Sequence, residues 1–134
     1  MLNVKADRLY QELKNLSEKL EIEVTEQNFA SQVIEASHQQ PVLVDFWADW
    51  CSPCHMLAPH LYKAVESFND GVELAKLEVD EGENMKLAGH YRVRGFPTVI
   101  IFLDGEEIAR FASAKPTHRI TEWIEEHVGD RLYS

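Results

Sequence analysis

The chain's two cysteines, Cys51 and Cys54, are the residues whose type and spacing are best suited to chemistry. They lie three positions apart in the segment DFWADWCSPCHMLAP, and this i, i+3 spacing brings two thiols close enough to form a disulfide with little backbone movement. A thiolate at Cys51 would attack a substrate disulfide, and Cys54 would then attack the mixed disulfide and release the reduced substrate. The pair therefore indicates thiol–disulfide exchange.

The position of Cys51 favours it as the nucleophile. The motif falls between an apolar run of strand length, Val42 to Trp47, and a helical pattern that follows it, so Cys51 is expected at the N-terminus of a helix. Unpaired N–H groups and the positive end of the helix dipole stabilise an anion there, which predicts a lowered pKa for the Cys51 thiol. Pro53 fits the first helical turn because its missing N–H is no loss at that place.

Three other interpretations of the motif compete with redox chemistry. A structural zinc site needs four ligands, and completing it with His55 and His60 would strain the start of the helix. The residues CSPCH also match the C-x-x-C-H pattern of covalent haem attachment, which would need a pocket where the flanking strands indicate a filled sheet. Two buried, inert cysteines would fit poorly beside Trp50 and Pro53 at a strand end. We expect no metal.

The elements that position the motif alternate between strand and helix patterns. Continuous apolar runs at 42–47 and 98–103 predict strands covered on both faces, as in the centre of a sheet. Asp104-Gly105 is a hairpin signal. Since strands and helices alternate before a closing hairpin, we expect an α/β fold with a central mixed β-sheet flanked by helices. Further strands are predicted at residues 22–24, 72–79 and 106–111. Helices are predicted in a segment that ends near His38, from Met56 to Phe68, at residues 84–91, and from about Thr117 onward.

A leucine stripe in the first part of the chain predicts an extra N-terminal helix. Its members are Leu9, Leu13, Leu16 and Leu20. Docking onto the domain is favoured over a coiled coil, because the stripe is shorter than the three or four heptads that a coiled coil usually needs. We expect a helical extension at residues 1–21 and one domain at residues 22–134.

The composition argues against several classes of partner. The chain has 134 residues, 45% of them hydrophobic, and a formal net charge of −10, which is ordinary for one globular domain. The charge argues against nucleic acid and membrane surfaces, since a polyanion needs Lys and Arg to release its counterions. The longest apolar stretch, Phe96 to Leu103, is far shorter than the ~20 residues of a membrane helix. Because Asp7 and Glu12 lie where a secretory segment would be apolar, we expect a cytoplasmic location.

Two segments, VLVDFWADWCSPCHMLAP and RGFPTVIIFLDGE, resemble the signature regions of the thioredoxin family. The resemblance extends from about Ile22 to Val128, and the pairing of W-C-x-P-C with a distant F-P-T is far more specific than C-x-x-C alone. It implies a thioredoxin fold with an added N-terminal helix. It also implies a monomeric protein-disulfide reductase that acts on disulfide-containing client proteins, is itself reduced by a thioredoxin reductase, and needs no cofactor besides the Cys51–Cys54 disulfide.

The resemblance also assigns roles to residues outside the motif. Asp45 matches a buried aspartate that exchanges a proton with the second cysteine, and burial inside VLVDFW independently predicts a raised pKa for its carboxyl. Lys76 matches a lysine that pairs near this aspartate. The competing interpretation of both is a side chain that reaches solvent at a strand edge. Pro97 matches a proline held in the cis form opposite the cysteines. The client surface implied by the resemblance comprises Trp50, Ser52, Pro53, Phe96, Pro97 and Ser113.

Three residues depart from the family pattern. Ser52 replaces the usual glycine between the cysteines, and Ser113 replaces a glycine on the client surface and narrows that groove. His55 replaces the usual Lys or Arg after the second cysteine. These residues leave the reductase interpretation intact and leave the reduction potential and the choice of client open. The alternatives are a disulfide oxidase or isomerase, and a non-catalytic docking module or holdase that uses the N-terminal helix.

Overall fold

Five strands form one mixed sheet in the computed structural model of the chain, which describes residues 7–9, 11–12 and 21–133. The strands are β1 (Glu21–Glu23), β2 (Val42–Trp47), β3 (Glu73–Glu78), β4 (Thr98–Leu103) and β5 (Glu106–Ala112). Their spatial order is β1-β3-β2-β4-β5. Strands β1 and β2 run parallel to β3, whereas β4 runs antiparallel to both β2 and β5. The predicted α/β fold with a central mixed sheet is confirmed.

Helical segments connect the strands and cover both faces of the sheet. A π-helical stretch at Ala30–Glu35 continues as a 3₁₀ turn at Ala36–His38. Within residues 21–133 the α-helices are α1 (Ser52–Glu66, with Pro59 inside it), α2 (Asn84–His90) and α3 (Thr117–Leu132). Within the described part of the chain, no helix combines the length and the hydrophobicity needed to span a bilayer.

The N-terminal leucine stripe is described only in part. Residues 7–9 and 11–12 are helical, and the side chain of Leu9 is 57% exposed. This first member of the stripe is therefore not buried against the domain. Leu13, Leu16 and Leu20 lie outside the described residues, so the docking of the stripe and the domain boundary after residue 21 stay predictions.

The side chains of β2 alternate between two hydrophobic cores, one on each face of the sheet. Val44 and Phe46 pack into the core under the π-helical stretch, whereas Leu43 packs into the core under α1 and α3. The five residues from Val42 to Phe46 are all buried. The run is continuous rather than alternating because both faces of this strand are covered. β2 is therefore the covered central strand of the sheet, and it ends at Trp47, shortly before Cys51.

Candidate active site

The two cysteines lie at the start of α1, immediately after the loop that follows β2. Cys51 is the N-cap residue in an extended conformation, with φ −94° and ψ 103°. The pair forms a disulfide with a Cα–Cα distance of 5.3 Å. The backbone N–H of Cys54 donates to Cys51 Sγ over 3.2 Å. Since the sulfur of Cys51 takes the place of a capping oxygen, a negative charge on it is stabilised by the helix start.

The disulfide lies just beneath an exposed rim. Cys51 and Cys54 are 4% and 2% exposed, whereas the neighbouring Trp50 is 67% exposed. Ser52 and Pro53, the two residues between the cysteines, are also exposed. The first turn of α1 contains no acidic residue that would oppose a thiolate. Trp50, Ser52 and Pro53 therefore form the exposed surface next to the two sulfurs.

Asp45 and Lys76 form an ion pair in the middle of the sheet. They are register partners on the parallel strands β2 and β3, and Lys76 Nζ lies 2.9 Å from Asp45 Oδ2. The carboxyl is fully buried, no other polar group of the described residues bonds to its oxygens, and Lys76 is 14% exposed. Burial raises the pKa of Asp45, and the charge of Lys76 offsets part of that rise. Both the expected burial and the expected pairing are confirmed.

Asp45 faces the side of the sheet on which α1 lies. Alternation along β2 gives Asp45 the same direction as Leu43, and Leu43 shares its core with Leu57 and Leu61 of α1. The carboxyl is thus buried beneath the helix whose first turn carries the cysteines. The two cysteines themselves pack with Val44 and Phe46 in the core on the other face of the sheet.

Pro97 and its neighbours form the second side of the site. The Phe96–Pro97 peptide bond is cis, as predicted. The ring of Phe96 packs edge to face against Trp50, with 6.0 Å between ring centroids. Ser113 N–H donates to the Pro97 carbonyl over 3.2 Å. The structure therefore brings the loop before α1, the loop before β4 and the end of β5 together in one place.

Trp50 is held by a residue that the sequence analysis did not identify. Its indole Nε1–H donates to Asp80 Oδ2 over 2.6 Å. Asp80 follows the end of β3 within the acidic segment EVDEGEN, and no local pattern marks it. The pKa of Glu78, the last residue of β3, is raised by burial and by neighbouring carboxylates, with Glu81 foremost among them. The rim next to Trp50 is therefore acidic.

The two histidines of the zinc interpretation have other partners. His55 Nε2 lies 2.7 Å from the Asp49 carbonyl oxygen, and His60 Nδ1 lies 2.8 Å from Thr117 Oγ1. Across residues 7–9, 11–12 and 21–133, no group of three or more His, Cys, Asp or Glu side chains is arranged to hold a metal ion. The cysteines are instead bonded to each other.

Ser113→Gly is expected to stabilise the protein by about 1 kcal/mol. Ser113 has φ 84°, a left-handed conformation that costs an L-residue about 1–2 kcal/mol and glycine almost nothing. Gly105 is the matched control, because its φ is 83° and a Cβ there would lie 3.2 Å from His38 Nε2. Gly105→Ala should therefore lower the free energy of unfolding, as measured in urea. A loss of stability in Ser113→Gly would show that the serine side chain offsets the strain.

Comparison with known proteins finds relatives along most of the chain. The family model described as thioredoxin matches residues 20–126. A thioredoxin from Chlorobaculum thiosulfatiphilum is 37% identical over 107 residues, which cover 80% of this chain and 95% of the relative. Thioredoxins from Rhodospirillum rubrum and Bacillus subtilis are 39% and 35% identical, over 79% and 80% of this chain and 98% and 97% of their own lengths.

Proposed function

Because the chain belongs to the thioredoxin family and is a protein-disulfide reductase, we propose that Cys51 is its nucleophile and Cys54 its resolving cysteine. The observation that carries this assignment is the N–H of Cys54 donating to Cys51 Sγ at the helix start. That bond stabilises a thiolate on Cys51 and offers nothing equivalent to Cys54. The relatives do not favour the docking-module, oxidase or isomerase interpretations.

The reaction transfers two electrons from the reduced pair to a client. The Cys51 thiolate attacks one sulfur of the client disulfide, a mixed disulfide forms, and the other client sulfur leaves as a thiolate that takes up a proton. Cys54 then loses its proton and attacks Cys51 Sγ. The bond to the client breaks, the second client sulfur leaves as a thiolate that takes up a proton, and the Cys51–Cys54 disulfide remains.

Asp45 is the proposed acceptor of the Cys54 proton. Its raised pKa lets the carboxyl hold a proton closer to neutral pH than an exposed aspartate does, which suits reversible proton exchange. Lys76, 2.9 Å from Oδ2, limits how far that pKa rises. Burial and Lys76 together thus set the pKa of the Asp45 carboxyl, which governs how readily it accepts and returns a proton.

The client surface is formed by the exposed rim and the cis-proline loop. Pro97 has no N–H, so the backbone of Phe96 beside it can bond to an extended client without a competing donor. Trp50 shields the sulfurs on one side. The members of this surface are Trp50, Ser52, Pro53, Phe96, Pro97 and Ser113.

We assign the supply of electrons to a thioredoxin reductase. We also propose that the protein acts in the cytoplasm, which keeps thiols reduced. The protein acts as a monomer on disulfide-containing client proteins, without a cofactor. The proposed catalytic domain comprises residues 22–134 and the proposed N-terminal extension residues 1–21, the last of which, Glu21, already belongs to β1.

Reduction of insulin by dithiothreitol tests this function directly. The protein should accelerate the precipitation of reduced insulin chains well above the rate with dithiothreitol alone. An equilibrium with glutathione then separates a reductase from an oxidase through the reduction potential of the pair. No acceleration at any of several pH values would refute general reductase activity.

A further inference from the structure

His55, the residue after the redox pair, reaches back to the segment that leads into Cys51. Its Nε2 lies 2.7 Å from the carbonyl oxygen of Asp49. A carbonyl oxygen can only accept, so Nε2 carries the proton and donates it. The bond therefore joins the first turn of α1 to the residue two positions before Cys51, and it persists whether or not Nδ1 is protonated.

The imidazole is also fixed from the side of the sheet. Its ring meets the ring of Trp47, the last residue of β2, at 6.1 Å between centroids and an interplanar angle of 78°. Lys76 Nζ lies 5.3 Å from the centroid of the same indole. Trp47 is thus held between a histidine on the helix and a lysine on the neighbouring strand, which leaves the His55 ring a defined orientation toward Asp49.

We propose that His55 is a positioning residue for Cys51, acting through the carbonyl of Asp49. The segment between β2 and α1 has one backbone bond of its own, from Cys51 N–H to the Ala48 carbonyl at 3.1 Å. The hydrogen bond from the His55 imidazole to the Asp49 carbonyl is a second constraint on the same segment. It keeps Cys51 at the helix N-cap, where its thiolate is stabilised, while client sulfurs bind and leave. The inference rests on the proposed nucleophilic role of Cys51.

Replacement of the imidazole tests this role in the reduced full-length chain. His55→Leu removes the donor, whereas His55→Gln keeps an N–H that can reach the same carbonyl. His60→Leu is the matched control on α1, since it removes a bond of 2.8 Å to Thr117 without touching the segment before Cys51. Two rates are measured for each variant: insulin reduction as kcat/KM, and alkylation of Cys51 by iodoacetamide. Unfolding in urea reports stability.

His55→Leu should lower both rates roughly three- to ten-fold, the range expected for one lost hydrogen bond. His55→Gln should recover most of that loss, and His60→Leu should keep wild-type rates even where its stability falls. Wild-type rates in His55→Leu, an equal loss in His60→Leu or no recovery in His55→Gln would overturn the proposal. A wild-type protein that fails to reduce insulin contradicts the proposed function instead, and the alkylation rates then still decide the role of His55.

Discussion

Cys51→Ser is expected to lose insulin reduction by on the order of a thousand-fold or more, the scale on which removal of a nucleophile acts. Cys54→Ser should instead stop the reaction half-way, as a covalent complex between Cys51 and the client. The asymmetry follows from the cap geometry. Serine at position 54 keeps the backbone N–H that donates to Cys51 Sγ over 3.2 Å, so the nucleophile stays activated while the resolving thiol is gone.

The trapped complex is detected as a client-sized increase in mass that disappears on addition of dithiothreitol. A double variant that lacks both thiols is the control, because it presents the same surface and can form no mixed disulfide. Identification of the captured proteins would name the clients. Capture by Cys51→Ser, with none by Cys54→Ser, would reverse the assigned roles, and reduction by both single variants would remove the pair from the mechanism.

The central part of the fold follows from local patterns in the sequence. Strands β2 and β4 are continuous apolar runs because both their faces are buried, and this pattern differs from that of any surface element. The Asp104-Gly105 turn is equally local, since both residues adopt left-handed conformations, with φ 52° and 83°, and a two-residue hairpin loop of this type requires them. The spatial order of the strands does not follow from local patterns. It depends on which surfaces pack together and not on the periodicity of the sequence.

Some features of the active site were likewise predictable from the sequence, and others were not. The N-cap position of Cys51, the burial of Asp45 and the cis bond at Pro97 were predictable, because each rests on a motif or on neighbours in the chain. The bond from Trp50 to Asp80 joins residues 30 positions apart, and the bond from His55 to Asp49 depends on a side-chain direction. Sequence spacing specifies neither. Both therefore had to come from the three-dimensional arrangement.

Asp45→Asn is expected to raise the free energy of unfolding at neutral pH by on the order of 1 kcal/mol or more, since a shift of one pKa unit corresponds to about that free energy. Burial is the larger cause of the raised pKa of Asp45, and Lys76 compensates it only in part. The ionised carboxylate therefore costs the native state stability. Asparagine removes that charge at nearly constant volume, and Lys76, which is 14% exposed, can reach water with its amine.

The gain should depend on pH with a defined sign. Because the folded-state pKa of Asp45 lies above its ordinary value of 3.8, the native state binds more protons than the unfolded state between the two values. The contribution of this group to stability is thus complete below 3.8 and is lost as pH rises through the folded-state pKa. The free energy of unfolding of Asp45→Asn should match that of the wild type in acid and exceed it at neutral pH.

The same variant should slow the resolving step by up to about a hundred-fold, because it lacks the carboxylate proposed to accept the Cys54 proton.

Lys76→Met supplies the opposite perturbation of the same pair. It removes the only cation within 4 Å of the carboxylate among the described residues, so the buried charge loses its partner and the protein should lose about 3 kcal/mol at neutral pH. Protonation of Asp45 removes the unpaired charge, and the loss should therefore shrink as pH falls. Urea unfolding of the two variants and the wild type from pH 4 to pH 8 measures both trends. Parallel curves for all three proteins would contradict a titrating Asp45, because its ionisation is what makes the differences among them depend on pH.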